Sequence, residues 1–384
     1  MNVSNQQRMI VGLDIGTSKV VAIVGEINPE GTLEIIGIGS HSSRGLKKGV
    51  VINIDSTVQS IQRAVEEAEL IAIVDNKAEA MSIAVEMNVP FFHTIEEMLK
   101  VQRPEGVIVC TPTEIHLEPV LSSLNAGAHV LVEKPITSTM EEAQEIIKTS
   151  QTAHRDVLVG HHRRYYSTIQ KTREMIHEGA IGKLVGISGM WTTRKADSYY
   201  EPSWRQLRSS GPVLINLIHE IDSLRYICGE ITSLSAKVTN GLRDHPKEET
   251  VAVLMEFEGG ALGTFFLSDV TPSPWTWEHA TGENPNFPKS SQNIYRFTGS
   301  EASLEFPNLV LWKHENGNSD WHHKMYPQQI DIELEDAYVS QCTHFCAVIC
   351  GREEPRITAS DATKTLEATL AVFDASENGM EVRF

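Results

Sequence analysis

"GVIVCTPTEIHLEPVLSSLNAGAHVLVEKP", residues 106–135, sets two apolar runs of strand length on either side of a segment of helix length. GVIVC reads as a buried strand, the stretch from Glu114 as a helix ended by Gly127, and HVLVEKP as the next strand. Strand–helix–strand is the repeating unit of a parallel sheet covered by helices. Cys110, Thr111, Pro112 and Thr113 follow the first strand, and Glu133, Lys134 and Pro135 end the second. Both groups therefore fall on the carboxyl edge, where open α/β sheets bind ligands.

The same rhythm extends outward in both directions. LIAIVD (70–75) is a strand ended by Asp75, NKAEAMSIAVEMN a helix, VPFF a short strand, and TIEEMLKV a helix capped by Thr94 with Glu97. Downstream, STMEEAQEIIKTSQTA is a helix capped by Ser138 with Glu141. Asp75 is thus a third landmark on the carboxyl edge. A strand-terminal acid of this kind bonds an adenosine ribose and should follow a glycine-rich turn by about twenty residues. The upstream Gly37–Ile38–Gly39 carries Ser42 at the third glycine position and stands 38 residues before Asp75, so it is an accidental match.

From about residue 156 the pattern changes. KLVGISGMWTTRK, TSLSAKVTN, ETVAVLMEFE and ALGTFFLSD are strands joined by short turns, with helices near 166–178 and 215–228. A loop-rich stretch spans 271–291, and helices over 336–351 and 359–377 come last. The expected fold class is α/β. A Rossmann-like parallel-sheet domain with an altered N-terminal part (1–70, then 71–155) precedes an α/β domain with a large, mostly antiparallel open sheet (156–384).

With 384 residues, 41% hydrophobic and 22% charged, the chain has the composition of a globular protein of two or three domains. A net charge of −18 argues against nucleic acid as a partner. No apolar run approaches the roughly eighteen residues that span a bilayer, and the opening MNVSNQQRMIVG does not read as a signal peptide. A cytoplasmic protein with no membrane partner is the expectation. Cys342, Cys346 and Cys350 recur every four residues on one helix, but His344 lies about 200° round from Cys342. They read as small buried hydrophobes; no metal site and no disulfide is assigned.

On these motifs residues 71–384 resemble the Gfo/Idh/MocA family of NAD(P)-dependent oxidoreductases. VIVCTPTEIHLEPVLSSLNAGAHVLVEKPITST is similar to the family's most diagnostic stretch. HEGAIGKLVGI, WRQLRSSGPVLINLIHEIDSLRYICGE, GTFFLSD and GREEP…DATKTLEATLAV match in order. The resemblance implies a Rossmann domain plus an open-sheet domain, a homodimer or homotetramer, and oxidation or reduction of a carbinol carbon in sugars, cyclitols or their acids. It makes Lys134 the main catalytic candidate and His219 the second, as general acid/base. On residue type alone His219 reads as a satisfied histidine on a buried helix face.

Many members carry an Asp four residues before that His, where this chain has Ile215. Asn216 can hydrogen-bond in its stead but cannot act as a base, and Asp222 either orients His219 or pairs with a basic group. The resemblance places Asp75, Cys110, Thr111, Pro112, Thr113, His116, Glu133, Lys134, Trp204 and Arg205 around the cofactor and Arg164 near the substrate. Trp204 reads equally as a core residue, and Arg164 as a surface ion-pair partner. Asp75 favours NAD, because a carboxylate repels the 2′-phosphate of NADP.

Residues 9–70 are similar instead to the N-terminus of the FtsA family of actin-like cell-division proteins. DIGTSK, Asp14 to Lys19, matches that superfamily's first phosphate loop. NPEG (28–31) marks a hairpin, and DSTVQSIQRAVEEAEL (55–70) is an amphipathic helix with a Ser56/Gln59 capping box. The second phosphate loop and adenosine motif have no counterpart, so ATP is not the expected ligand. The chain reads as a chimera joined near Glu69–Ile71, with its dinucleotide loop replaced and its cofactor affinity weakened or lost. A non-catalytic scaffold and an actin-like nucleotide-binding protein are the alternatives.

Overall fold

A computed structural model of the chain describes residues 69–77, 80–284, 286–315 and 320–384, together with the strand backbone of 8–15, 19–27 and 33–42. The loop between Ile15 and Lys19 lies outside these residues. So does the helix expected over 55–70, except for Glu69 and Leu70, which are not helical. The described chain divides into two compact units, one reaching His162 and regaining 336–366, the other holding 163–335 and 367–384. The alternation pattern placed this change at 156 instead.

The first unit opens with an antiparallel meander, β1 (Arg8–Ile15), β2 (Lys19–Ile27) and β3 (Leu33–Ser42). There follow β4 (Ile73–Val74), α1 (Met81–Glu86), β5 (Phe91–Phe92), α2 (Ile95–Val101) and β6 (Gly106–Cys110). Then come α3 (Leu117–Asn125), β7 (His129–Val132), α4 (Met140–Ala153) and β8 (Val157–Val159). The main sheet runs β3-β2-β1-β6-β7-β8, parallel from β1 onward, with Asp14 opposite Cys110. Val107, Val109, Val130, Val132 and Val159 are wholly buried. Strands covered on both faces read as unbroken apolar runs, which is why β6 and β7 were legible.

Two expectations are corrected here, and one strand is added. LIAIVD does not join the main sheet; β4 pairs only with β5, in a separate parallel two-stranded sheet. Backbone edges explain it, because β2 and β6 already take both edges of β1 and leave no row of N–H and C=O groups for β4. The cap of α4 is Thr139 with Glu142, not Ser138 with Glu141. The helix starts one residue late, and Thr139 Oγ1 accepts the Glu142 N–H while Glu142 Oε2 accepts the Thr139 N–H, each at 3.3 Å. Finally, β8 closes the parallel sheet although its three residues carried no periodic signal.

The second unit contains α5 (Ser167–His177), β9 (Leu184–Thr192), and a π-helical turn (Val213–Leu217) that runs into α6 (Ile218–Cys228). It continues through β10 (Ile231–Thr239), β11 (Thr250–Phe257), β12 (Leu262–Ser268), α7 (Trp277–Thr281), β13 (Tyr295–Gly299), β14 (Ala302–Phe306), β15 (Val310–His314) and β16 (Met325–Gln329). With β17 (Val382–Arg383) these strands form a nine-stranded sheet, β16-β15-β14-β13-β9-β12-β11-β10-β17, in which only β9 and β12 pair in parallel. Along β11, Val251, Val253, Met255 and Phe257 are buried and the residues between them exposed, the period-2 signature of a half-buried sheet.

Two helices close the chain, α8 (Ala337–Ile349) and α9 (Ala359–Asn378). On α8, Cys342 and Cys346 are buried thiols, and burial pushes Cys342 up to about 12. His344 Nε2 lies 3.0 Å from the Glu354 carbonyl instead of facing them. Among the described residues no three side chains gather to hold a metal, and no helix is long and apolar enough to cross a membrane.

Candidate active site

In the first unit the parallel strands bring the predicted edge residues together. Cys110 ends β6, Thr111 and Pro112 lead into a single 3₁₀ turn, Thr113–Ile115, and His116 follows, buried. Its Nε2 lies 2.7 Å from the Thr111 carbonyl oxygen, and its Nδ1 lies 2.9 Å from that of Pro135. The ring therefore ties the loop after β6 to the loop after β7. Burial lowers the pKa of His116 against carbonyl groups and Glu133 that would raise it. The neutral ring donates through one nitrogen only.

After β7, Glu133 Oε2 accepts the backbone N–H of Lys134 at 3.1 Å, and the Lys134–Pro135 bond is cis. Gly160, just past β8, brings backbone close to this acid. A Cβ there would stand 2.9 Å from Glu133 Oε1 and 3.1 Å from its Cα. Lys134 is half-buried on this edge. Asp75, by contrast, ends β4 outside the main sheet, fully buried, with Oδ1 accepting the Lys77 N–H at 2.7 Å.

In the second unit Asn216 and His219 stand on the π-turn and the first turn of α6. Asn216 Oδ1 accepts from Lys195 Nζ at 2.8 Å, and His219 is half-buried. Asp222 pairs with a basic group, one of its two expected roles. Arg164 donates to it through Nε at 2.9 Å and Nη2 at 2.7 Å, a buried bidentate pair. One residue before Arg164, Arg163 donates to Glu220 at 2.6 Å and covers the Trp277 ring. Arg164 is therefore neither at the surface nor a lone cation. Arg205 is buried, donates to the Tyr199 carbonyl at 3.1 Å and stacks on Tyr199, while neighbouring Trp204 is 40% exposed and not a core residue.

A polar cluster behind Asn216 escaped the sequence reading. Asp269, wholly buried, accepts from Tyr200 at 2.5 Å, Lys247 at 2.8 Å and Arg243 at 3.3 Å. Glu248 accepts the Val213 N–H at 2.8 Å, which anchors the start of the π-turn, and burial raises its pKa. A Cβ on Gly211 would fall 2.3 Å from that carboxylate. The only sequence signal for Lys195 was its place just past the end of a strand.

Comparison with known proteins places these units. An oxidoreductase-family model with an NAD-binding Rossmann fold matches residues 49–161, and a GFO/IDH/MocA C-terminal domain model matches 169–305. The first match begins inside the FtsA-like stretch. The cell division protein FtsA of Pseudomonas aeruginosa is 72% identical over 65 residues, which are 17% of this chain and 16% of that protein. The chain thus spans only about a sixth of that relative's length. The 1,5-anhydro-D-fructose reductase of Ensifer adhaerens is 24% identical over 295 residues, covering 74% of this chain and 81% of the reductase. Among solved structures, an Agrobacterium radiobacter oxidoreductase in complex with NAD+, L-tartaric acid and magnesium superposes with a TM-score of 0.72 at 16% identity, over 87% of this chain and 96% of that one. Two domain models of one family, matched in order over more than half the residues and on a shared fold, mean that the chain belongs to the Gfo/Idh/MocA oxidoreductase family and carries an FtsA-like segment at its N-terminal end.

Proposed function

We propose that the chain is an oxidoreductase of sugar- or polyol-like alcohols that uses NAD with weakened affinity. The observation that carries this reading is the carboxyl edge of β6 and β7, where Thr111–Thr113 and Glu133–Pro135 are tied together by His116. The name of the Ensifer relative, a reductase of an anhydro sugar, supports a sugar-type substrate, and the Agrobacterium neighbour was solved with NAD+. Bound NAD would supply hydride acceptance or donation. Lys134 would hold the substrate hydroxyl and share its proton, and His219 would give or take a proton in the second unit. NADP is the alternative cofactor. A homodimer or homotetramer in the cytoplasm is the accompanying inference.

Two features support the weakened affinity. Asp75 is buried and bonded to backbone on a strand outside the main sheet, so its carboxylate does not face a ribose at the sheet edge. A chain without the glycine-rich turn also forgoes several backbone bonds to a charged pyrophosphate. At roughly 1.5–3 kcal/mol each, their loss weakens binding at least about a hundredfold.

Titrating the intact protein with NADH, by cofactor fluorescence and with ATP as competitor, tests both parts. Micromolar binding indifferent to ATP would overturn the weakening and support the enzyme. Weak but measurable binding, with turnover of sugar alcohols abolished in Lys134→Ala, is the expected result. No binding at all by a folded chain would leave it a non-catalytic member of the family.

A further inference from the structure

Lys195 is the least satisfied cation of the buried cluster in the second unit. Its side chain is 14% exposed, and its ammonium donates to the neutral Asn216 amide oxygen at 2.8 Å. The nearest carboxylate, Asp269, is 4.0 Å away and is already held more tightly by Lys247, Arg243 and Tyr200. The other acids around it are engaged too. Glu248 is bonded to the Val213 N–H, Glu249 accepts the N–H groups of Leu242 and Arg243, and Glu278 accepts the Trp191 indole N–H.

An ammonium has three N–H donors and no acceptor. One neutral oxygen leaves most of that capacity unused, and burial lowers the Lys195 pKa accordingly. Because lysine can only donate, the Asn216 side chain must turn its oxygen toward Nζ. That oxygen holds Nζ in place and leaves its other N–H groups with no carboxylate, among the described residues, closer than Asp269 at 4.0 Å. A cation with N–H capacity to spare suits a carboxylate oxygen better than a neutral hydroxyl. The buried Trp191 ring and the half-buried Tyr199 ring stand 5.5 and 5.2 Å from Nζ.

We propose that Lys195 and Asn216 form a carboxylate-binding subsite, and that the substrate of this unit is a sugar acid and not a neutral sugar. This rests on the proposed reading of the chain as an oxidoreductase of sugar-type alcohols, with His219 acting in the second unit. It adds the charge that the substrate must carry and the two residues that select it.

The test is calorimetric binding of D-glucuronate and D-glucose to the intact protein without cofactor, in the native chain and in the variants Lys195→Met and Asn216→Asp. The second variant keeps the shape and gives Lys195 an internal carboxylate, so its fold is secured by a new ion pair. Native protein is expected to prefer glucuronate by about tenfold or more, and both variants to lose that preference. Equal binding of the two sugars, a preference that survives in both variants, or no glucuronate binding by folded protein overturns the proposal. Glucuronate binding by a chain that binds no NADH would uphold the subsite and refute the oxidoreductase reading. Turnover of neutral sugars alone would do the reverse.

Discussion

At the scale of residues, two buried arginine pairs in the second unit hold Asp222 and Glu220. Arg164 occupies both carboxylate oxygens of Asp222, and Arg163 with Tyr295 occupies Glu220. Removing one partner of a buried pair strands the other charge, so Asp222→Asn should cost about 3–5 kcal/mol. A denaturant midpoint unchanged from that of the native chain would refute this. His116 sets a second expectation. Its folded pKa lies below the ordinary 6.5, so between those values the unfolded chain binds more protons. The stability it contributes is complete above pH 6.5 and is lost as pH falls toward the folded value. His129 and His344 are lowered as well, so the comparison must be between native and variant. His116→Leu should flatten the fall in unfolding free energy between pH 7.5 and 5.5 by up to about 1.4 kcal/mol per pH unit. It should also weaken whatever binds at Thr111 and Lys134, since it unties the two loops.

At the scale of elements, the close approach of β8 to the Glu133–Lys134 loop is what holds the sheet's carboxyl edge in place. Gly160 leaves no room for a methyl group beside the Glu133 Cα and carboxylate. Gly160→Ala should therefore displace the loop by a few tenths of an ångström and lower ligand affinity at the edge about tenfold or more, with a smaller loss in thermal midpoint. Equal affinities in the two proteins would show that Glu133 gives way without moving Lys134. The capping of α4 teaches the same lesson on a smaller scale. Two neighbouring hydroxyl residues, each followed three positions later by a glutamate, offered two starts in sequence, and the backbone at Thr139 chose the later one. The π-turn before α6 is a third case. Its i to i−5 bond runs from the Ile218 N–H to the Val213 carbonyl, while the Val213 N–H is held by Glu248, 35 residues along the chain.

At the scale of the whole molecule, the meander at the N-terminal end competes with the Rossmann half it adjoins. β1 pairs with β6 as a first Rossmann strand would, yet β2 takes the edge that β4 needs. Exchanging residues 1–70 for a single strand, a glycine-rich turn and a helix should free that edge. NADH affinity is then expected to rise at least about a hundredfold, measured by the same fluorescence titration. No gain in a folded exchange variant would mean that the defect lies at Asp75 and not in the missing loop.

Much of this protein was legible in its residues alone. The apolar runs of β6 and β7, their edge residues, the alternation along β11 and the two family resemblances all rest on local pattern. Local pattern survives because burial on both faces, or on one, dictates residue type position by position. Tertiary structure decided the rest: that β4 stands apart from the main sheet, that β8 completes it, that Asp222 belongs to Arg164, and that Asn216 belongs to Lys195. The physical reason is common to all four. A strand edge or a buried charge has room for few partners, and which one wins depends on groups far away in sequence, 58 residues for Arg164 and Asp222 and 21 for Lys195 and Asn216.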